Sequence, residues 1–194
     1  MRKVLLILAV MALAVPATLA AGPDNANEFG IYGGYFWGDT LMDKANSPEL
    51  DDDLSFGVYY NHMFTENWGF QARLGYSPNT VTNLHGGDVD MDVTYLDLSA
   101  TYQWNWDNVS LYVPFGLGYA QGSLDRDLVY LATGKKIGDD SGLTYHLGVG
   151  LLWPVGDKMT VRFETRYRYI DKLVDTYDDS LDTVEATIGL GWTW

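Results

Sequence analysis

The chain has 194 residues, 12 basic against 26 acidic, and no cysteine, for a formal net charge of -14. Without cysteine it has no disulfide, thiolate nucleophile or thiolate metal ligand, and a chain this acidic is not an electrostatic binder of nucleic acid. Its mean hydropathy of -0.11 resembles that of a soluble protein, but a membrane barrel gives the same average because its two faces alternate.

The N-terminus reads Met1-Arg2-Lys3, then Val4 to Val15 without a charge, then Pro16 and the small run Ala17-Thr18-Leu19-Ala20-Ala21. A basic start, a short apolar core and small residues make a secretory signal, cleaved after Ala20 or Ala21. The expectation is a signal peptide over 1–21 and one exported domain over 22–194. Loss of Arg2 and Lys3 leaves ten basic residues against 26 acidic ones. No later run approaches the roughly 18 apolar residues of a transmembrane helix.

From Glu28 onward the pattern has a period of two. Phe29, Ile31, Tyr35 and Trp37 alternate with Glu28, Gly30, Tyr32, Gly34 and Phe36. After a polar segment, Leu54 to Phe64 alternates again, interrupted on its oily side by His62, and Thr65-Glu66-Asn67 turns it into a hairpin with Trp68 to Tyr76. A loop over 77–90 leads to a strand with Leu96, Leu98, Ala100, Tyr102 and Trp104 on one face and Asp97, Ser99, Thr101 and Gln103 on the other. The next strand runs from Val109 to Ala120, where Pro114 demands an edge, a bulge or a missing ladder bond. Beyond a loop over 122–141, Leu143 to Trp153 and Met159 to Ile170 form two more strands, the second placing Arg162, Glu164, Arg166 and Arg168 on one face. The last strand, Leu181 to Trp194, carries Val184, Ala186, Ile188, Leu190, Trp192 and Trp194 on a face that nothing later in the sequence covers.

Eight strands joined alternately by short turns and longer loops predict an all-β fold, an eight-stranded antiparallel up-and-down transmembrane β-barrel. Six of the seven tryptophans (68, 104, 106, 153, 192 and 194) lie at the short-turn end or the C-terminus, as an interfacial belt requires.

The final octet, Thr187-Ile188-Gly189-Leu190-Gly191-Trp192-Thr193-Trp194, resembles the C-terminal assembly signal of bacterial outer-membrane barrels, with Thr187, Gly189, Trp192 and Trp194 as its pattern positions and Trp in place of the commoner Phe. Pro114 to Tyr119 and Phe163 to Tyr169 are also similar to segments of the small OmpA-like barrel family. The resemblance covers nearly all of the mature chain but includes no periplasmic peptidoglycan-binding domain. It implies an outer-membrane location, contact with outer-membrane lipid and lipopolysaccharide, and delivery to the barrel-assembly machinery through the last strand.

The inward positions carry four of each sign, Arg73, Arg162, Arg166 and Arg168 against Glu28, Asp97, Glu164 and Glu185. An eight-stranded barrel is just wide enough for side chains to fill, so these charges should pair and plug it. The alternative is a narrow gated pore in which an arginine changes partners. The loops, taken as 38–53, 77–90, 122–141 and 171–180, hold 16 acids and five bases. Asp51-Asp52-Asp53 and Asp178-Asp179 offer hard oxygen ligands for divalent cations bridging to lipopolysaccharide phosphate, but no loop has EF-hand spacing and a solvated charge run is the favoured reading. A lipid A-modifying enzyme would need Ser, His and a carboxylate at the loop-side rim; His146 points inward, His62 lies near a turn and only His85 lies in a loop. The expectation is therefore no catalytic residues, no cofactor, no metal and no nucleic-acid partner. The role expected is structural or interactive at the cell surface, with a partner the sequence does not name.

Overall fold

The computed structural model describes residues 27–38, 49–84, 87–124, 128–130, 135–137, 140–171 and 180–194. The expected signal peptide, His85 and Asp178-Asp179 lie outside the described residues. The barrel strands are β1 (Asn27–Trp37), β2 (Asp53–Met63), β3 (Trp68–Leu84), β4 (Gly87–Asn105), β5 (Ser110–Leu124), β6 (Asp140–Val155), β7 (Met159–Ile170) and β8 (Leu181–Thr193). Each pairs antiparallel with its sequence neighbours, and β8 pairs with β1 from Glu28↔Thr193 to Trp37↔Val184, so the sheet closes on itself. Closure leaves no long sheet edge.

The parity read from the sequence holds around the barrel. Ile31, Leu54, Leu98, Leu117, Leu147, Phe163 and Ile188 are exposed on the outer face, whereas Glu28, Tyr59, Arg73, Asp97, Tyr112, Arg166 and Glu185 are buried inside. His62 departs from this pattern. Although it breaks the oily face in sequence, it is buried, because Nδ1 approaches the Asn27 side chain at 2.9 Å and its ring packs against Phe64. At Pro114 the β5·β6 ladder steps from Tyr112↔Gly150 to Phe115↔Leu147 and skips Val113 and Pro114. This is the missing pairing that a residue without an N–H requires.

The expected loop over 77–90 is mostly strand. β3 and β4 have 17 and 19 residues against 11 in β1, so these two strands are longer by roughly 20 to 26 Å along their own tilted direction at about 3.3 Å per residue. Their inward side chains explain the continuation. Val81, Val89, Met91 and Val93 pack with Phe36, Leu50, Ala120, Ile170 and Leu181 into an apolar cluster over the loop-side mouth. Two further expected loops contain strand: Glu49–Leu50 pairs with β3, and the third holds a small hairpin, Leu128–Tyr130 with Lys135–Ile137. β5 also runs on to Leu124 and β6 begins at Asp140, so the third loop is shorter than the sequence suggested.

Aromatic rings collect at both ends. At the turn end Trp68, Tyr102 and Trp104 meet edge to face at 4.8 and 4.7 Å, and Trp194 lies 6.5 Å from Tyr60. At the loop end Tyr35 packs on Trp37 and Phe56 on Tyr76. There Tyr76 and Tyr167 donate to Asp92 and Asp182, each at 2.7 Å.

Candidate functional site in the barrel lumen

Residues two apart on a strand lie on one face about 6.6 Å apart, so Arg162, Glu164, Arg166 and Arg168 form a column of charge down the inside of β7. The other lumen charges come from β1 (Glu28), β3 (Arg73), β4 (Asp97) and β8 (Glu185). All eight are buried, and Asp97, Arg166, Arg168 and Glu185 are 0% exposed.

Nearest the turn end, Arg162 Nη2 meets Glu28 Oε2 at 3.2 Å, and Tyr59 OH donates to Glu28 Oε1 at 2.6 Å. The Arg162 guanidinium is held between the rings of Tyr59 and Tyr112, with centroids 4.4 and 4.6 Å away. One level up, Glu164 Oε1 accepts from Arg73 Nη1 at 2.7 Å and lies 2.8 Å from Arg166 Nη2, while Tyr112 OH donates to Oε2. Arg166 also reaches Asp97 Oδ2 at 2.8 Å and Gln71 Oε1 at 2.7 Å. Higher still, Arg168 shares the same Asp97 oxygen at 2.6 Å and lies 3.6 Å from Glu185 Oε2. Glu185 Oε1 takes Arg73 Nη2 at 2.9 Å, Ser55 Oγ at 2.6 Å and the Tyr95 hydroxyl. Asp97, Glu164 and Glu185 therefore each serve two arginines, which compensates charge that water no longer solvates.

Four inward tyrosines complete the arrangement. Arg73 stacks on Tyr32 and Arg168 on Tyr95, at 3.8 and 3.9 Å from the ring centroids. The Tyr32 and Tyr95 hydroxyls lie 3.2 Å apart. Glycines on the facing strands make room for these rings. A Cβ at Gly75 would come within 2.1 Å of Tyr95, one at Gly150 within 2.3 Å of Tyr112, and one at Gly191 within 2.6 Å of Tyr59 OH. Sequence parity places Tyr32, Tyr59 and Tyr112 inside but carries no sign of their part as π-faces for arginine, and Tyr95 precedes the strand expected from Leu96 onward. The available signal was a tyrosine and an arginine recurring together at inward positions.

His146 contributes a contact with the form of a nucleophile relay. Its Nε2 lies 2.8 Å from Ser99 Oγ and its Nδ1 3.5 Å from Asp97 Oδ1. Ser99 is 1% exposed and Asp97 is committed to two arginines, so this group is a packed part of the lumen wall. At the other expected positions, Trp192 and Trp194 are exposed on the outer face, Thr187 is half-buried, and Gly189 is buried beside Tyr32 and Tyr59. In the first loop Asp52 Oδ1 accepts from Gly38 N, Asp53 Oδ1 from Leu54 N and Asp51 Oδ1 from Thr82. Among the described residues no group of His, Cys, Asp or Glu is arranged to hold a metal.

A closed eight-stranded antiparallel barrel with an apolar outer face and residues 5–193 matching the outer membrane protein beta-barrel domain decides the family. The chain belongs to it. This outer-membrane barrel is accordingly a protein of the bacterial outer membrane, its apolar face lies against lipid, and its aromatic rings mark the two interfaces. No curated protein matches the chain. Among solved structures the barrel is similar to neisserial surface protein A, with 14% identity and a TM-score of 0.66 over 87% of this chain and 97% of that one. OprG of Pseudomonas aeruginosa is similar at 18% identity and a TM-score of 0.57, over 88% of this chain and 97% of OprG. Ail of Yersinia pestis, in complex with the heparin analogue sucrose octasulfate, is similar at 19% identity and a TM-score of 0.54, over 87% and 99% of the two chains. At these identities the likeness is one of fold.

Proposed function

We propose that this outer-membrane barrel is neither a channel nor an enzyme, and that it acts as a structural or interaction protein whose working surface is its acidic loop end. The observation that carries this reading is the lumen. Six of the eight charged side chains share partners across it, Arg162 and Glu28 pair with each other, and an apolar cluster lies over them at the loop-side mouth. An ion in transit would have to break shared pairs at two levels and then cross an apolar layer.

The loop charge bears on the partner. Ail was solved with a heparin analogue, but 16 acids against five bases over residues 38–53, 77–90, 122–141 and 171–180, at the loop end of the barrel, repel polyanions and suit a cationic partner, or lipopolysaccharide phosphate bridged by divalent cations. The last strand is proposed to carry the assembly signal through Thr187, Gly189, Trp192 and Trp194. The narrow-pore alternative draws support from Glu185, whose Oε1 holds Arg73 while Oε2 lies 3.6 Å from Arg168. That geometry permits partner exchange.

Conductance of the refolded protein in a planar bilayer tests the reading. The expected result is no unitary current. Reproducible channels lost in Arg166→Ala would overturn it in favour of the pore, and lipid A deacylation or acyl transfer lost in His146→Ala would overturn it in favour of the enzyme.

A further inference from the structure

Where β3, β4 and β5 rise past the first loop they carry a pocket of about 410 Å³, whose lining includes Asp53, Asn79, Thr80, Asp90, Asp92 and Ser123. It is built on ladder rather than on loop, since Thr80 pairs with Asp90 and Asp92 with Ser123. Asp90 and Asp92 are exposed and share one face of β4 about 6.6 Å apart. Each of the three carboxylates spends one oxygen locally. Asp53 Oδ1 takes Leu54 N at 2.6 Å, Asp92 Oδ1 the Tyr76 hydroxyl at 2.7 Å and Asp90 Oδ1 the Thr80 hydroxyl at 3.5 Å. Their second oxygens are unused, and among the described residues none of the three meets a lysine, arginine or histidine. Asn79 adds an independent observation. It is 3% exposed, its Nδ2 donates to Asp51 O at 2.9 Å, and its Oδ1 is a buried acceptor with no partner. With Nδ2 tied back to the first loop, Oδ1 is the amide atom left for the pocket.

We infer that this pocket binds a linear polyamine, a flexible chain carrying two or more ammonium groups. An ammonium has donors and no acceptor, which complements a lining that offers unused acceptors and three negative charges. The spacing along β4 suits two ammonium groups separated by a few methylenes, one on Asp90 and one on Asp92, and leaves Asp53 and the Asn79 carbonyl for an end group. The volume is that of a small-molecule site. A bare metal ion would not fill it, and no described group is arranged to hold one. The inference rests on the acidic loop end being the working surface and names a ligand for it.

The test is calorimetric titration of the refolded full barrel in zwitterionic detergent with spermidine, magnesium chloride and tetralysine at equal ionic strength. The expected result is saturable binding of one spermidine per barrel, weakened about tenfold or more by Asp90→Asn and by Asp92→Asn. Both side chains are exposed, and the heat-modifiable band verifies that the variants fold. Asp182→Asn, at the loop end but outside the pocket, should leave the affinity unchanged. Equal weakening by Asp182→Asn would mean diffuse charge only and overturns the site. So does displacement of spermidine by magnesium, or binding of tetralysine where spermidine does not bind. Because no current is read, a barrel that conducts would overturn the proposed function and leave this site standing, whereas a silent barrel that ignores spermidine strikes the site alone.

Discussion

Arg166 stands directly opposite Glu185 in the β7·β8 ladder, yet its guanidinium turns across the lumen to Asp97 on β4, 2.8 Å away. Glu185 instead takes Arg73 from β3 and Tyr95 from β4. The strongest ties inside the barrel thus cross between walls that share no backbone hydrogen bond. They act as struts against flattening of the cylinder, which the ladders alone do not resist.

Asp97 is the strut end with the most to lose. Asp97→Asn leaves Arg166 and Arg168 without their common carboxylate at a place where neither is exposed. Removing one partner of a buried pair costs about 3–5 kcal/mol. Glu28→Gln strips a single, longer contact from Arg162 near the turn-side mouth and should cost clearly less. Urea midpoints of the two refolded variants rank them, and equal midpoints would deny Asp97 its central place.

The membership of this network was legible because a strand's parity is strict: once Arg162, Arg166 and Arg168 fall on the face opposite Phe163 and Tyr167, they have nowhere to go but inside. The pairing was not legible, since it depends on which walls face each other across the lumen, and Arg166 ignores its ladder neighbour. The tall β3–β4 wall was missed for another reason. Ser77, Pro78, Asn79, Asn83 and Gly86-Gly87 have the composition of a loop, and that outweighed the alternation of Val81, Val89, Met91 and Val93, whose meaning depends on Phe36, Leu50, Ile170 and Leu181 arriving from elsewhere in the chain.

The apolar cluster at the mouth should behave as a small protein core of its own. Met91 is fully buried there, so Met91→Ala leaves a cavity and should cost about 2–5 kcal/mol. Leu117→Ala, on the lipid face and 59% exposed, should cost much less because lipid fills the space. The readout is protease cleavage at the loop end on intact cells. Met91→Ala should be cut faster with the barrel still folded, and identical cleavage of both variants would show that the cluster does not hold the mouth together.

Two glycines separate space from backbone conformation. A Cβ at Gly75 would meet the Tyr95 ring at 2.1 Å and the Tyr32 hydroxyl at 2.3 Å, whereas Gly156 has φ 73° and nothing within 4 Å. Gly75→Val should abolish the folded, heat-modifiable band, because two rings that carry arginines cannot both move. Gly156→Ala should fold and lose roughly 1–2 kcal/mol from a left-handed residue in an open turn. A folded Gly75→Val barrel of normal stability would mean that the tyrosine stacks do not pack as described.

The C-terminal residue distinguishes recognition from stability. Trp194 N donates to Asn27 O at 3.1 Å, and the residue is 58% exposed with its ring 6.5 Å from that of Tyr60. Deleting Trp194 therefore removes one hydrogen bond from a seam that stays paired from Glu28↔Thr193 onward, a net loss of about 1 kcal/mol. So small a loss should leave refolding in detergent unimpaired. If the last strand is read during assembly, the same deletion, or Trp194→Asp, should still sharply lower the yield in the outer membrane and leave export to the periplasm intact, while Trp194→Phe should restore the yield. Normal outer-membrane yield of the deletion would reduce the C-terminal pattern to coincidence, and refolding that fails in parallel with assembly would make Trp194 a structural residue of the seam.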